Sequence, residues 1–217
     1  MEKTDILSLS FEELERKLLQ IGEKRFRALQ VFQWLHEKKV PSFDKMTNIS
    51  AQTRAVLEEK FYINSLKIQK RLVSSIDNTV KYLYVLPDEN KVETVLMEYH
   101  HGNSICLSTQ VGCKMGCRFC ASTKAGFVRN LEPSEILLQI YESERDSGRK
   151  IDSVVLMGIG EPLDNFDNVV KFLHIISHKS GRNMSLRHIS LSTCGLVDKI
   201  YKLAEMKLGL TLSISLH

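Results

Sequence analysis

The sequence of 217 residues has no long apolar run, no apolar leader and little net charge. No segment approaches the ~18 uninterrupted apolar residues of a membrane-spanning helix, which predicts a protein without a membrane span. The first residues, Met-Glu-Lys-Thr-Asp, lack the apolar stretch of a secretory signal, so we expect a cytoplasmic location. The net charge of +4 is compatible with an anionic partner but does not require one.

The sequence also lacks the even set of cysteines that a disulfide scaffold needs. It has five, an odd number, and no secretory signal accompanies them. Three of the five fall within eight residues, which makes this cluster the first feature to explain.

Residues 1–62 show helical periodicity, which predicts a small N-terminal helical accessory domain. Ser10 and Glu13 have the spacing of a capping box, and apolar residues recur at helical intervals after it. Two further helices are expected at about residues 24–39 and 50–61.

Residues 63–100 change to a period of two, which predicts strands. Alternating segments at Leu66–Val73, Val80–Leu86 and Val92–Tyr99 are separated by residues typical of turns. We therefore expect an antiparallel strand meander that bridges two domains.

Residues 101–217 alternate strand-like and helical segments, which predicts an α/β core with a parallel sheet. Strands are expected at Ser104–Thr109, Asp152–Met157, His188–Thr193 and Leu210–Leu216, and helices at Pro133–Ser147, Asn165–Ser177 and Leu196–Met206. A closed α/β barrel of this type uses about six to eight strands, so four predict a partial (βα) barrel. We also expect the natural chain to continue past His217.

Three of the predicted strands keep a polar face. The polar positions are Ser104, Cys106, Ser108 and Gln110 on the first, His188, Ser190 and Ser192 on the third, and Thr211, Ser213, Ser215 and His217 on the fourth. A parallel strand covered on both sides is normally apolar on both faces, so these favour a lumen that holds a polar ligand. The alternative is that serine and threonine are simply tolerated in strands.

The cysteine cluster has the form Cys113-x3-Cys117-x2-Cys120. Thiolates favour zinc, copper(I) or iron–sulfur clusters, and a structural zinc site needs four protein ligands. Three thiolates can hold a [4Fe–4S] cluster and leave its fourth iron open to a small molecule. A zinc site completed by Cys106 or a histidine is the alternative.

The segment around these cysteines is basic. Between Gly112 and Leu131 it carries four cations, Lys114, Arg118, Lys124 and Arg129, and no acid. We therefore expect lowered thiol pKa values and attraction of anions.

With Phe119 as its aromatic, C-x3-C-x-aromatic-C resembles the signature of radical S-adenosylmethionine (SAM) enzymes. Further motifs follow in order: Val92-Glu-Thr-Val95, Cys106-x-Ser-x-Gln-Val-Gly-Cys113, Gly126-Phe-x-Arg-Asn-Leu131, Met157-Gly-x-Gly-Glu-Pro-Leu-x-Asn165, Leu191-Ser-Thr-x-Gly195 and Ser215-Leu-His217. Together they resemble the RlmN/Cfr group of RNA methyltransferases, closest to its RlmN branch, over about residues 10–217. The resemblance implies a radical SAM barrel, a [4Fe–4S] cluster, and methylation of C2 of adenosine in 23S rRNA and certain tRNAs.

The resemblance also implies roles for individual residues. Cys113, Cys117 and Cys120 would bind the cluster, and Phe119, Gly160, Glu161, Ser192, Ser215, Leu216 and His217 would bind SAM, Glu161 at its ammonium. Without the motifs, each SAM position would be an ordinary strand or turn residue.

Two further residues have implied roles in catalysis. Glu93, on a strand face with apolar neighbours, would deprotonate the substrate carbon, and such surroundings should raise its pKa; alternatively it is a surface residue near Lys91. Cys106 would form a disulfide that releases an RNA–protein adduct, or is a small buried hydrophobe. Cys194 has no implied role and is interpreted as structural.

The implied reaction uses two SAM molecules, a cysteine that carries the methyl group, and an electron donor such as a flavodoxin-like or ferredoxin-like protein. The methyl-carrying cysteine would lie past the fourth strand, so we expect residues 1–217 alone not to complete methyl transfer. A monomer is expected. The remaining alternatives are a non-catalytic, metal-stapled RNA-binding module and a radical SAM enzyme with another substrate.

Overall fold

A computed structural model of the chain describes residues 3–124 and 126–216. The N-terminal helices are α1 (Phe11–Gln20), α2 (Arg25–His36) and α3 (Ala51–Lys60). The predicted capping box is confirmed, because Glu13 N donates to Ser10 Oγ and Ser10 N donates to the Glu13 carboxylate. Two short parallel strands that the sequence did not predict, β1 (Thr4–Asp5) and β2 (Phe61–Tyr62), join the two ends of this region.

The rest of the chain supplies nine strands and three α-helices among the described residues. The strands are β3 (Lys67–Val73), β4 (Val80–Val85), β5 (Lys91–Tyr99), β6 (Gly102–Leu107), β7 (Gln110–Gly112), β8 (Phe127–Asn130), β9 (Ser153–Leu156), β10 (Ile189–Thr193) and β11 (Thr211–Ile214). The helices are α4 (Pro133–Ser147), α5 (Phe166–Ser177) and α6 (Val197–Glu205).

Seven of these strands form one mixed sheet in the order β11-β10-β9-β6-β5-β4-β3. Strands β6, β9, β10 and β11 run parallel, as the alternating pattern predicts, and β3 to β6 pair antiparallel. The predicted antiparallel meander is continuous with the parallel strands, because β5 pairs directly with β6. Within the described residues the sheet is open, with β3 and β11 at its edges.

Helix α4 has the bounds that the sequence predicts. Pro133 occupies its first turn, and Glu132 and Glu135 form a capping box there. Gly148 closes the helix in the left-handed conformation, with φ of 68°. These local signals determine where the helix begins and ends without help from its neighbours.

One face of the sheet is apolar and covered. Ile105, Leu107, Val154, Leu156, Ile189 and Leu191 are buried on it, in the same core as the apolar residues of α4 and α5. The N-terminal helices share this core, and Nδ1 of buried His36 lies 3.1 Å from the hydroxyl of Tyr141 in α4. The division at residues 62 and 100 remains a prediction.

The opposite face carries the polar positions. The register places Cys106 beside Val155, Val155 beside Ser190, and Ser190 beside Thr211. This confirms a polar face on β10 and β11. The prediction is wrong for Gln110, because β6 ends at Leu107 and Gln110 begins a separate hairpin.

No helix in the described residues is long and apolar enough to span a bilayer.

Candidate cofactor site

The cysteine loop (residues 113–124) projects from a short hairpin formed by β7 and β8. Its neck is narrow, since Cys113 N donates to Gly126 O at 3.2 Å. Gly112 has φ of 72°, and a Cβ there would lie 1.8 Å from Gly126 O. Only glycine fits this crossing, which explains the glycine directly before the first cysteine.

The cysteine loop meets the carboxyl ends of the parallel strands at one open cleft. Of the residues proposed from sequence, those that line it are Cys113, Cys117, Phe119, Cys120, Gly160, Glu161, Ser192 and Ser215. Ligands of parallel α/β sheets bind at this edge. The fold therefore brings together eight of the twelve proposed site residues.

The donor set fits an iron–sulfur cluster with an open position. All five cysteines are free thiols; three line this cleft from a single loop, and Cys194 lines it from a separate element, the end of β10. Within residues 3–124 and 126–216 no three cysteine, histidine or carboxylate side chains are placed to hold one metal ion. A [4Fe–4S] cluster does not require such convergence, because its thiolates bind different irons.

The expected lowering of the thiol pKa values is wrong for Cys113. Burial raises the pKa of the Cys113 thiol, and the neighbouring Cys120, Cys117 and Glu161 add to the rise. The nearest cation in the sequence, Lys114, pairs instead with Asp164 at 2.9 Å.

Glu161 is buried, and its carboxylate accepts two backbone hydrogen bonds. Leu163 N donates to Oε1 and Cys194 N donates to Oε2, each at 2.9 Å. The carboxylate thus ties the loop after β9 to the end of β10, at the cleft wall. Because each carboxylate oxygen accepts only one of these hydrogen bonds, each keeps a lone pair that a cationic group of a ligand can use.

Ser192 and Ser215 meet across neighbouring strands, with their hydroxyl oxygens 3.3 Å apart. Leu216 is highly exposed and does not line the cleft. His217 lies outside the described residues.

Glu93 lies apart from the cleft, in a neighbouring hollow that also contains Ser122 of the cysteine loop. Ser122 lines both cavities. The expectation that Glu93 has apolar surroundings is wrong. Lys81 Nζ lies 2.8 Å from its carboxylate, and the side chain is 44% exposed. Lys81 reaches it from the adjacent strand, a neighbour that the sequence pattern of one strand does not reveal.

Cys106 lies on the polar face of β6, half-buried, outside both cavities. Burial raises the pKa of its thiol. The structure contains it as a free thiol, so the disulfide role remains a prediction.

Sequence reasoning missed several cleft residues, notably Met157 and Cys194. Each directly follows a parallel strand, and that position was the available signal. Burial, together with the hydrogen bond and the charge of Glu161, raises the pKa of Cys194 to about 11.

Comparison with known proteins agrees with this geometry. The model of the radical SAM superfamily matches residues 107–217, and that of the ribosomal RNA large subunit methyltransferase N-terminal domain matches residues 4–63. The chain belongs to the radical SAM superfamily.

Within this superfamily the chain is similar to RlmN-type proteins. It is 52% identical, over its whole length, to a probable dual-specificity RNA methyltransferase RlmN from Lachnoclostridium phytofermentans and to one from Alkaliphilus oremlandii. The chain covers 61% and 63% of these relatives, so it spans about three fifths of their length. The resemblance to RlmN that the motifs indicate is confirmed.

A solved structure shows the same fold. The crystal structure of a radical SAM methyltransferase from Sphaerobacter thermophilus superimposes with a TM-score of 0.91 at 34% identity, covering 99% of this chain and 64% of that one.

Proposed function

We propose that residues 1–217 hold a [4Fe–4S] cluster and SAM side by side, as the SAM-cleaving part of an RNA methyltransferase. The observation that carries this is the shared cleft: three cysteines with no fourth on the same loop face Gly160, Glu161, Ser192 and Ser215 at the ends of parallel strands. The proposed substrates are C2 of adenosine in 23S rRNA and in certain tRNAs, from the similarity to RlmN proteins.

Cys113, Cys117 and Cys120 would hold the cluster through three of its irons. When bound, the cluster would supply the electron that cleaves SAM and generates a carbon radical. The protein's part is to hold the two groups together in the cleft.

The cleft offers complementary groups for SAM. The Glu161 carboxylate is fixed by two backbone N–H groups, so it presents negative charge to an ammonium without having to reorganise. The exposed ring of Phe119 offers a surface for the adenine, and the Ser192–Ser215 pair offers hydroxyls. We extend the same role to Leu216 and His217 from the resemblance alone.

For RNA, we assign Glu93 as the base that removes a proton from the substrate carbon. Its hollow adjoins the cleft through Ser122, which supports this position. The side chain of Glu93 is 44% exposed, so a substrate can reach its carboxylate. Cys106 would assist release of the adduct, and a flavodoxin-like or ferredoxin-like protein would deliver the electron.

The test is anaerobic reconstitution with iron and sulfide, reduction with dithionite, and measurement of 5′-deoxyadenosine formed from SAM. We expect product from the chain and none from Cys117→Ser. Cys194 lines the same cleft from the end of β10, so Cys194→Ser tests whether it is a fourth ligand, and we expect this variant to keep the cluster. Firmly bound zinc with no cleavage of SAM would favour a metal-stapled RNA-binding module and overturn the proposal.

A further inference from the structure

Gln110 is a completely buried side chain whose amide is fully engaged. Its Oε1 accepts from Glu161 N at 2.8 Å, and its Nε2 donates to Asn130 Oδ1 at 2.8 Å and to Asp164 Oδ2 at 2.7 Å. Gln110 begins the hairpin that carries the cysteine loop, whereas Glu161 and Asp164 belong to the loop after β9. One amide therefore joins the bases of the two loops that form the cleft.

The connection continues to the cysteine loop itself. The second oxygen of Asp164 accepts from Lys114 Nζ at 2.9 Å, and Lys114 directly follows the first cysteine. The ammonium also lies 5.2 Å from the centre of the Phe127 ring on β8. Asp164 is thus held from both sides, by a buried amide and by a cation of the cysteine loop.

The contact between the two loops is also tight in the backbone. Gly160 has φ of 102°, and a Cβ there would lie 2.5 Å from Gln110 Cβ. The loop after β9 therefore cannot move closer to the hairpin, and the hydrogen bond from Glu161 N to Gln110 Oε1 resists its moving away. A displacement at Cys113 is consequently transmitted to Glu161 through neighbouring atoms.

We propose that Lys114, Asp164 and Gln110 form a positioning bridge that sets the distance between the cysteine loop and the Glu161 loop, and so tunes how SAM binds. The inference rests on the proposed function, since it concerns the same cleft. None of the three is assigned contact with SAM; they act through the loops that they connect.

Lys114→Met tests the bridge while keeping an unbranched side chain over Phe127. The matched control is Lys124→Met, in the same loop and with the same loss of charge, at an exposed lysine that makes no ion pair among the described residues. Lys114→Arg should restore the ion pair. Asp164→Asn removes the charge but keeps an oxygen for Gln110.

We expect iron content to be equal in all variants. In Lys114→Met and Asp164→Asn, the KM for SAM should rise about three- to fivefold with kcat nearly unchanged, because a half-exposed ion pair is worth little more. The electron paramagnetic resonance signal of the reduced cluster should respond less to added SAM. Lys124→Met and Lys114→Arg should match the wild type.

The double variant Lys114→Met/Asp164→Asn distinguishes a bridge from two separate effects. If both changes break one contact, the double variant is no worse than either single variant. Multiplicative losses, or equal losses in Lys114→Met and Lys124→Met, would overturn the bridge. Failure of the wild type to bind a cluster would instead overturn the proposed function.

Discussion

The two faces of the central sheet differ in composition and in cover. The covered face carries Ile105 and Leu107, fully buried, and polar side chains buried beneath it form hydrogen bonds, although Nε2 of His36 has no partner among the described residues. Gln139 of α4, for example, accepts from Thr94 and from Ser108 N and donates to Ser108 O. The other face carries Cys106, Ser190 and Thr211 in register, half-buried or exposed.

This difference means that one face of the sheet stabilises the fold and the other lies beside the proposed cofactor site. Burial of apolar side chains on one face stabilises the fold, at roughly 25 cal/mol for each Å² removed from water. The polar face contributes little to this burial, and the cleft lies at the carboxyl ends of its strands. Substitutions on the two faces should therefore have different consequences.

The largest difference in stability should be between substitutions of two adjacent residues of β6 whose side chains point to opposite faces. Ile105→Ala leaves a cavity in the core and should lower the free energy of unfolding by about 2–5 kcal/mol. Cys106→Ala, on the polar face, should lower it by less than about 1 kcal/mol. Urea unfolding under reducing conditions measures both, and equal losses would mean that the faces do not differ as described.

The next largest loss in the free energy of unfolding should come from Gln139→Leu. It leaves the Thr94 hydroxyl and both backbone groups of Ser108 without a partner, which should cost about 2–3 kcal/mol in the free energy of unfolding. Gln52→Leu on the exposed side of α3 is the control and should change it by no more than about 0.5 kcal/mol. A neutral result at Gln139 would refute the importance of this buried network.

The covered core should also make the protein acid-sensitive through His36. Burial lowers the pKa of His36 from 6.5 to about 3, so the folded state holds it neutral where the unfolded state binds a proton. Stability should therefore fall as pH drops below about 6.5, by about 2 kcal/mol at pH 5. In His36→Gln this loss should disappear; exposed His174→Gln should retain it, as urea titrations at pH 7 and pH 5 would show.

The smallest difference in stability should be between two serine-to-alanine substitutions, one in the buried interior and one on the polar face of the sheet. Ser134 is buried and accepts from Asn64 Nδ2 at 2.9 Å, so Ser134→Ala should cost about 1 kcal/mol or more. Ser190→Ala on the polar face should stay within about 0.5 kcal/mol. A larger cost at Ser190 in thermal unfolding would place that serine in a packed interior.

Local signals explain what the sequence could predict. The capping boxes at Ser10 and Glu132 and the glycine at 148 fix helix ends, and periodicity fixes strands, so most elements were predicted within two or three residues. The hairpin of β7 and β8 was missed because its strands are too short to show a period.

Long-range contacts explain what the sequence could not predict. The ion pair of Lys81 with Glu93 depends on strand register, and the bridge from Lys114 to Gln110 depends on how two loops meet. The motifs identify Cys113, Cys117, Cys120, Glu161 and Ser192 as site residues. That Met157 and Cys194 also line the cleft follows only from how the strand ends meet in the fold.

The most direct measurement is the iron and sulfide content of the chain after anaerobic reconstitution. If three cysteines hold a [4Fe–4S] cluster, the wild type and Cys194→Ser should each bind about four irons and four sulfides, and Cys117→Ser should lose most of both. Binding of a single zinc ion, or equal iron content in Cys117→Ser and the wild type, would contradict the assignment.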